Sequence, residues 1–255
     1  MTLRASFAVS AVALLLSGCG ASGCNASTPR PTPAQAPAPA EPPRAAPVGQ
    51  HPPIATIDPD DYPVVPAGGT REAGPPPAGM AVATFAGGCF WCMEAALEHV
   101  PGVQDALSGY TGGAPAHPTY DDVSNHRTTQ AEAIRVIYDP AVVTYDQLLD
   151  VFWRRIDATG VDHAFSDRGH QYRSAIFVHD AAQRAAATRT RAAIAALGHF
   201  TDPITTAIED AGVFWIAEDY HQDFWRTHPN HYRAYHDHSG RREYLREHWG
   251  PDAPY

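Results

Sequence analysis

Cys89 and Cys92 stand three residues apart, separated by Phe90 and Trp91 and preceded by Gly87-Gly88. The other two cysteines, Cys19 and Cys24, lie near the N-terminus, far from this pair in sequence. A Gly-Gly turn ahead of a helical pattern puts the first thiol at a helix N-terminus. There, unpaired backbone N–H groups and the helix dipole favour thiolate over thiol. The spacing also lets the two sulfurs close into a disulfide, so the pattern points to thiol redox chemistry.

Three chemistries fit such a pair. A zinc half-site needs two further ligands. No second C-x-x-C exists, and His117, His126, His163 and the cluster from His221 to His238 are too dispersed to specify one. No metal and no cofactor are therefore expected. A thioredoxin-like disulfide exchanger is the second possibility. The third is a reductase whose first thiolate attacks an oxidised substrate directly. A carboxylate bears on the choice. In the alternating run Ala131 to Tyr138, Glu132 is in phase with Ile134, Val136 and Tyr138. A carboxyl group on that apolar face is desolvated, which raises its pKa and lets it act as an acid near neutrality. Tyr172 has the same phase relation to Ser174, Ile176 and Val178, although phase alone favours a core tyrosine with a satisfied hydroxyl.

These residues need a scaffold. Ala81 to Ala86 is β-prone and Trp91 to His99 helical, with Pro101-Gly102 as a break. Val103 to Tyr110 reads as a strand and 114–130 as a long polar loop, ahead of the strand from Ala131. Thr144 and Gln147 form a capping box for a helix whose stripe is Tyr145, Leu148, Leu149, Phe152, Trp153 and Ile156. After a polar loop, Tyr172 to Val178 alternates as a strand. A helix over Ala181 to Leu197 follows, capped by Asp180 and ended by Gly198. Ile204 to Ile208 and Val213 to Ile216 are further strand candidates, and Glu218 to Arg226 has a helical hint. The order predicts an α+β, ferredoxin-like split β-α-β-β-α-β two-layer sandwich with extra C-terminal helices and loops.

The rest of the chain bounds the context. A net charge of −10 over 255 residues argues against nucleic acid and against a polybasic membrane surface. Residues 1–18 read as a signal peptide, with Arg4 ahead of an apolar run too short to span a bilayer. Leu16-Ser17-Gly18-Cys19 resembles the lipobox of bacterial lipoproteins. That resemblance implies cleavage before Cys19, lipidation of Cys19 and acyl chains as the membrane anchor. Cys24 has no evident disulfide partner. Gly20 does not favour inner-membrane retention, which points to a periplasm-facing anchor in the outer membrane. Residues 28–79 hold 16 of the 24 prolines, so 19–79 reads as a disordered, partly polyproline tether. The domain is expected over 80–250, with 251–255 as a tail.

The block Ala86-Gly87-Gly88-Cys89-Phe90-Trp91-Cys92-Met93-Glu94 resembles the active-site motif of the peptide methionine sulfoxide reductase A family. The likeness continues through Ser108-Gly109-Tyr110-Thr111-Gly112-Gly113, Pro118-Thr119-Tyr120, Ala131-Glu132-Ala133, Asp167-Arg168-Gly169, Gln171-Tyr172-Arg173-Ser174 and Ala217-Glu218-Asp219-Tyr220-His221-Gln222. It implies that Cys89 is the nucleophile and that Phe90 and Trp91 form the pocket for the substrate methyl group. It further implies that Glu132 protonates the sulfoxide oxygen, Tyr110 and Tyr172 hydrogen-bond it, and Asp167 binds substrate or supports the site. The activity implied is reduction of methionine S-sulfoxide, free or in proteins, with repair of oxidative damage in the cell envelope as its use. Two positions depart from the family pattern. Ser239 stands where many members carry a second thiol, which leaves Cys92 to resolve the Cys89 sulfenic acid. Gln130 replaces a common His before the Ala-Glu pair. The implied partner is an exported, thioredoxin-like dithiol, because a cytosolic thioredoxin cannot reach an exported enzyme. A thiol–disulfide oxidoreductase or a redox-active binding module that does not reduce sulfoxides is the alternative.

Overall fold

The computed structural model of the chain describes residues 70–251 and residue 253. The expectations for the signal peptide, Cys19, Cys24 and most of the tether lie outside these residues.

In chain order the strands are β1 (Arg71–Glu72), β2 (Ala81–Gly87), β3 (Val103–Thr111), β4 (Ala131–Tyr138), β5 (His163–Ala164), β6 (Asp167–Arg168), β7 (Ser174–Val178), β8 (Ala207–Asp210) and β9 (Trp215–Ile216). The helices are α1 (Phe90–Glu98), α2 (Tyr120–Ser124), α3 (Tyr145–Trp153), α4 (Ala181–Ala196), α5 (Phe224–Thr227), α6 (Pro229–His238) and α7 (Arg241–Trp249). Seven strands form one sheet in the order β1-β9-β3-β4-β2-β7-β8. Its centre, β3-β4-β2-β7, is antiparallel throughout. With α1 and α3 between its strands, this is the expected split β-α-β-β-α-β arrangement. β8 adds parallel to β7, and β9 adds antiparallel to β3.

The main core lies between the sheet and its helices. Ile134, Val136 and Tyr138 of β4 belong to it, together with Phe90, Met93 and Leu97 of α1 and Leu148, Leu149 and Phe152 of α3. Glu132 shares their phase, so its strand aims it at the start of α1. The capping box of α3 forms as expected, with Thr144 accepting from the Gln147 N–H and Gln147 reaching back to the Thr144 N–H. The Phe152 ring stacks on Phe85 at 5.0 Å between centroids. Phe152→Ala should therefore cost about 3–5 kcal/mol of stability, seen as a lower urea midpoint with little change in slope.

Several expectations are corrected. The boundary at residue 80 is too late, because Arg71 and Glu72 pair with Ile216 and Trp215 and so belong to the sheet. At the other end, Ala253 in the expected tail is buried. The polar loop after β3 contains α2, which Thr119 and Asp122 start with a capping box of their own. Tyr172 is not in a strand but closes a 3-10 turn, His170–Tyr172, and β7 begins only at Ser174. Strand phase thus says nothing about Tyr172. The aromatic- and His-rich end, read only as a helical hint, forms α5, α6 and α7. Pro229 at the first turn of α6 and Gly240 in the left-handed conformation ahead of α7 mark the two helix starts. Among the described residues, no helix is long and apolar enough to cross a membrane.

Candidate active site

The strand β2 delivers the chain to α1 through the two glycines. A Cβ on Gly87 would sit 2.5 Å from Ile156, and one on Gly88 would sit 2.7 Å from Ala164. Gly88 also has a φ of +87°, in the region that favours glycine. The turn packs this closely against the body of the domain, and Cys89 emerges from it as the N-cap of α1. Its carbonyl accepts from the N–H groups of Cys92 and Met93. Both thiols are free and buried.

The helix N-terminus does not act on Cys89 as expected. The sulfur makes no cap hydrogen bond, and the Phe90 N–H donates instead to Glu132 Oε2 at 3.0 Å. Burial, with Cys92 and Glu132 nearby, pushes the Cys89 thiol well up. Cys92 moves the other way, to about 7, through its hydrogen bond with Cys89 and, against the cost of burial, the nearby Arg241. The two sulfurs therefore behave as one unit that gives up its first proton easily and shares the second.

Glu132 is buried, and burial lifts its carboxyl to about 8 despite the bond from Phe90. It therefore holds its proton more tightly than an ordinary carboxyl group. Tyr110 lies directly opposite it across β3 and β4. The Tyr110 hydroxyl is turned away, however, and donates to Glu218 Oε2 at 3.1 Å. The other oxygen of Glu218 accepts from the Tyr120 N–H at 2.8 Å. Tyr120 is the residue the sequence reading passed over. Burial and the proximity of Glu132 and Cys89 push its phenol up. Burial and Glu132 do the same for Tyr172, which the structure does bring to the site. The signal for Tyr120 was available in Pro118-Thr119-Tyr120, a block with no other assigned purpose.

Phe90 and Trp91 begin an aromatic wall. Phe90 is fully buried against Tyr110 and His221, with ring centroids 5.8 Å and 4.9 Å away. Trp91 is only partly buried and stacks on Phe224 at 3.8 Å. Its indole N–H donates to His221 Nδ1 at 3.2 Å, so Nε2 carries the histidine proton. Burial holds His221 at about 3, hence neutral. Asp167, at the start of β6, accepts from the Tyr235 hydroxyl, and its charge reaches both thiols and Glu132. Cys89, Cys92, Phe90, Trp91, Glu132, Tyr172 and Asp167 are thus brought together. Tyr110 stands one step behind.

A family model described as peptide methionine sulfoxide reductase matches residues 81–253. The chain belongs to the peptide methionine sulfoxide reductase family. The chain is 45% identical over 169 residues to peptide methionine sulfoxide reductase MsrA of Bacillus licheniformis, covering 66% of this chain and 93% of the relative. Among solved structures, reduced Mxr1 of Saccharomyces cerevisiae superposes with a TM-score of 0.55 at 31% identity, over 63% of this chain and 90% of that one. Methionine sulfoxide reductase A of Corynebacterium diphtheriae gives 0.54 at 30% identity, over 60% and 76%.

The two departures from the reductase family pattern have clear positions. Gln130 is buried, and its amide donates to the carbonyls of Gly113 and Pro115, each at 3.0 Å. It ties the loop after β3 to the start of β4. Ser239 is buried at the end of α6, with its hydroxyl donating to the His236 carbonyl at 2.7 Å. Its own carbonyl accepts from the Ser166 N–H, which fastens the β5-β6 turn and hence Asp167. Within the reductase motif itself, Glu94 is a buried acid lifted by burial to about 8. It accepts from Ser108 Oγ and from the Asp223 N–H, binding α1 to β3 and to the segment that carries Phe224.

Proposed function

We propose that the protein reduces methionine sulfoxide with Cys89 as nucleophile, Glu132 as proton donor and Cys92 as resolving thiol. The observation that carries this reading is a protonated, buried carboxyl group at the N-terminus of the helix that bears both thiols. A sulfoxide oxygen leaves sulfur only when protonated. As the Cys89 thiolate attacks, the Glu132 proton passes to the oxygen. The phenols of Tyr120 and Tyr172 hydrogen-bond the developing charge, while Tyr110 acts through Glu218 to hold the Tyr120 backbone. The bond formed between the Cys89 and methionine sulfurs then breaks as the protonated oxygen passes from the methionine sulfur to the Cys89 sulfur, so methionine leaves as the thioether and Cys89 is left as a sulfenic acid. Cys92 then attacks the Cys89 sulfur: the S–S bond forms, S–O breaks and water departs. An external dithiol of thioredoxin type returns both thiols by exchange.

Phe90, Trp91 and Phe224 supply the apolar surface for the substrate methyl group, and the S epimer of free or protein-bound methionine sulfoxide is the proposed substrate. The lipobox-like Leu16-Ser17-Gly18-Cys19 and the proline-rich tether support a lipid-anchored, periplasm-facing enzyme of the outer membrane that repairs oxidised proteins. Its reductant is then an exported dithiol carrier.

One equivalent of a single-epimer sulfoxide, added to reduced protein without a reductant, should yield one equivalent of methionine. Mass spectrometry of the digested protein should then show a Cys89–Cys92 disulfide. Methionine release without loss of both thiols would reject Cys92 as the resolver. No release of methionine would reject the reaction.

A further inference from the structure

The start of α7 buries a charge that the reaction above does not use. Arg241 is only 2% exposed. Its Nη1 donates to the Arg155 carbonyl at 2.6 Å, and its guanidinium lies 4.1 Å from the centre of the Phe165 ring. Nε and Nη2 are buried with no hydrogen-bond partner. Nη2 points toward the Cys89 turn, because a Cβ on Gly88 would lie 3.5 Å from it. A buried guanidinium is costly unless an anion compensates it. Asp167, a carboxylate that feels this charge, already accepts from Tyr235. The other groups that feel its charge are the two thiols, the phenols of Tyr232 and Tyr235, Arg155 and His236.

We infer that Arg241 is a positioning residue for the resolving step, holding the Cys92 sulfur as thiolate toward oxidised Cys89. The inference rests on the reaction proposed above. After the first half-reaction Cys89 carries S–OH in place of S–H, so the thiol-to-sulfur hydrogen bond of the reduced pair is gone. Cys92 must then lose its own proton to attack: the S–S bond forms, S–O breaks, and the departing hydroxide takes up a proton to leave as water. The buried guanidinium provides the compensating charge at that moment. The groups facing Cys92 are Cys89 on its own helix, Asp167 of β6, Tyr232 of α6 and Arg241, with Arg155 close by. Of the two arginines, Arg241 has the larger effect on the Cys92 thiol, and Asp167 opposes it.

The test needs no sulfoxide. In a background with Cys19, Cys24 and Cys89 each replaced by Ser, Cys92 is the single cysteine of the chain, and its ionisation can be followed by ultraviolet thiolate absorbance against pH. With the Cys89 thiol gone, burial outweighs Arg241 at Cys92, so the shift between variants rather than the absolute midpoint carries the test. Arg241→Gln, which keeps a donor for the Arg155 carbonyl, should raise the midpoint by about one pH unit or more. Arg241→Lys should recover most of the difference. In protein with both cysteines, Arg241→Gln should slow disulfide closure about tenfold at neutral pH, with recovery at high pH, while the first methionine is still released. A midpoint unmoved by Arg241→Gln overturns the inference. So does a Lys variant that titrates like the Gln variant. Should Arg241→Gln not fold, the uncharged Arg241→Met takes its place, with the same rise in midpoint expected and an unmoved midpoint overturning the inference. Failure of sulfoxide reduction would leave this titration intact and would count against the reaction alone.

Discussion

Cys89→Ser should abolish sulfoxide reduction, whereas Cys92→Ser should complete one turnover and stop. The first loss should reach about 10⁴-fold or more, since nothing else on the site can take the oxygen. The hydroxyl of serine is a far poorer nucleophile, and the pocket supplies no strong base to ionise it: Glu132 is protonated and His221 is held neutral at about 3. The second variant separates the two roles. Cys89 still attacks, releases one equivalent of methionine and remains a sulfenic acid, because Cys92 is the only other cysteine among the described residues. Quenched single-turnover assays should show a burst of one equivalent in both wild type and Cys92→Ser. Only wild type should lose two thiols. Continued turnover of Cys92→Ser with a dithiol reductant at the wild-type rate would mean that the reductant attacks the sulfenic acid directly. Cys92 would then have no part in the cycle.

The asymmetry of the pair could not be read from its spacing. A helix N-terminus suggested an ionised Cys89, yet the N–H that might have served it is given to Glu132. Burial then moves Cys89 up while Cys92 moves down. Spacing shows that two sulfurs can meet, not which of them the surroundings ionise. Glu132 was legible because strand phase is a local property, and β4 runs from Ala131 to Tyr138 as the alternation indicated. Tyr172 reached the site by another route, on a 3-10 turn that no periodicity marks. Tyr110 and Tyr120 show the remaining limit. Both are near Glu132, but only the long-range bonds to Glu218 decide which phenol is left for substrate. Arg241 is farther still from prediction, since it comes to the thiols from a helix starting about 150 residues later in the chain.

Glu132→Gln should slow the reductive half-reaction by about 10²–10⁴-fold, the usual range for removing a general acid. Gln preserves the shape and can still accept from the Phe90 N–H, so α1 keeps its start and the Cys92-dependent closure is unaffected. The pH dependence gives the sharper check. In the proposed reaction, reduction requires a thiolate on the pair and a proton on Glu132. The pair releases its first proton near 7 and Glu132 holds its own to about 8. The rate should therefore rise with pH through the first value and fall through the second, and Glu132→Gln should lose the alkaline limb. Stability must move in the opposite sense. Glu132 binds its proton more tightly folded than unfolded. The unfolded chain has therefore lost that proton between the ordinary carboxylate range and about 8 while the folded chain retains it. Wild-type stability should fall as pH rises across that window, and the cost should persist above it. Glu132→Gln removes the cost, so the variant should be more stable than wild type at pH above about 8 and nearly inactive at every pH. Denaturant midpoints at acidic and alkaline pH test this directly. A Glu132→Gln protein no more stable than wild type at alkaline pH would mean that the carboxyl group is already ionised in the folded protein, and the proton donor would have to be sought among the phenols instead.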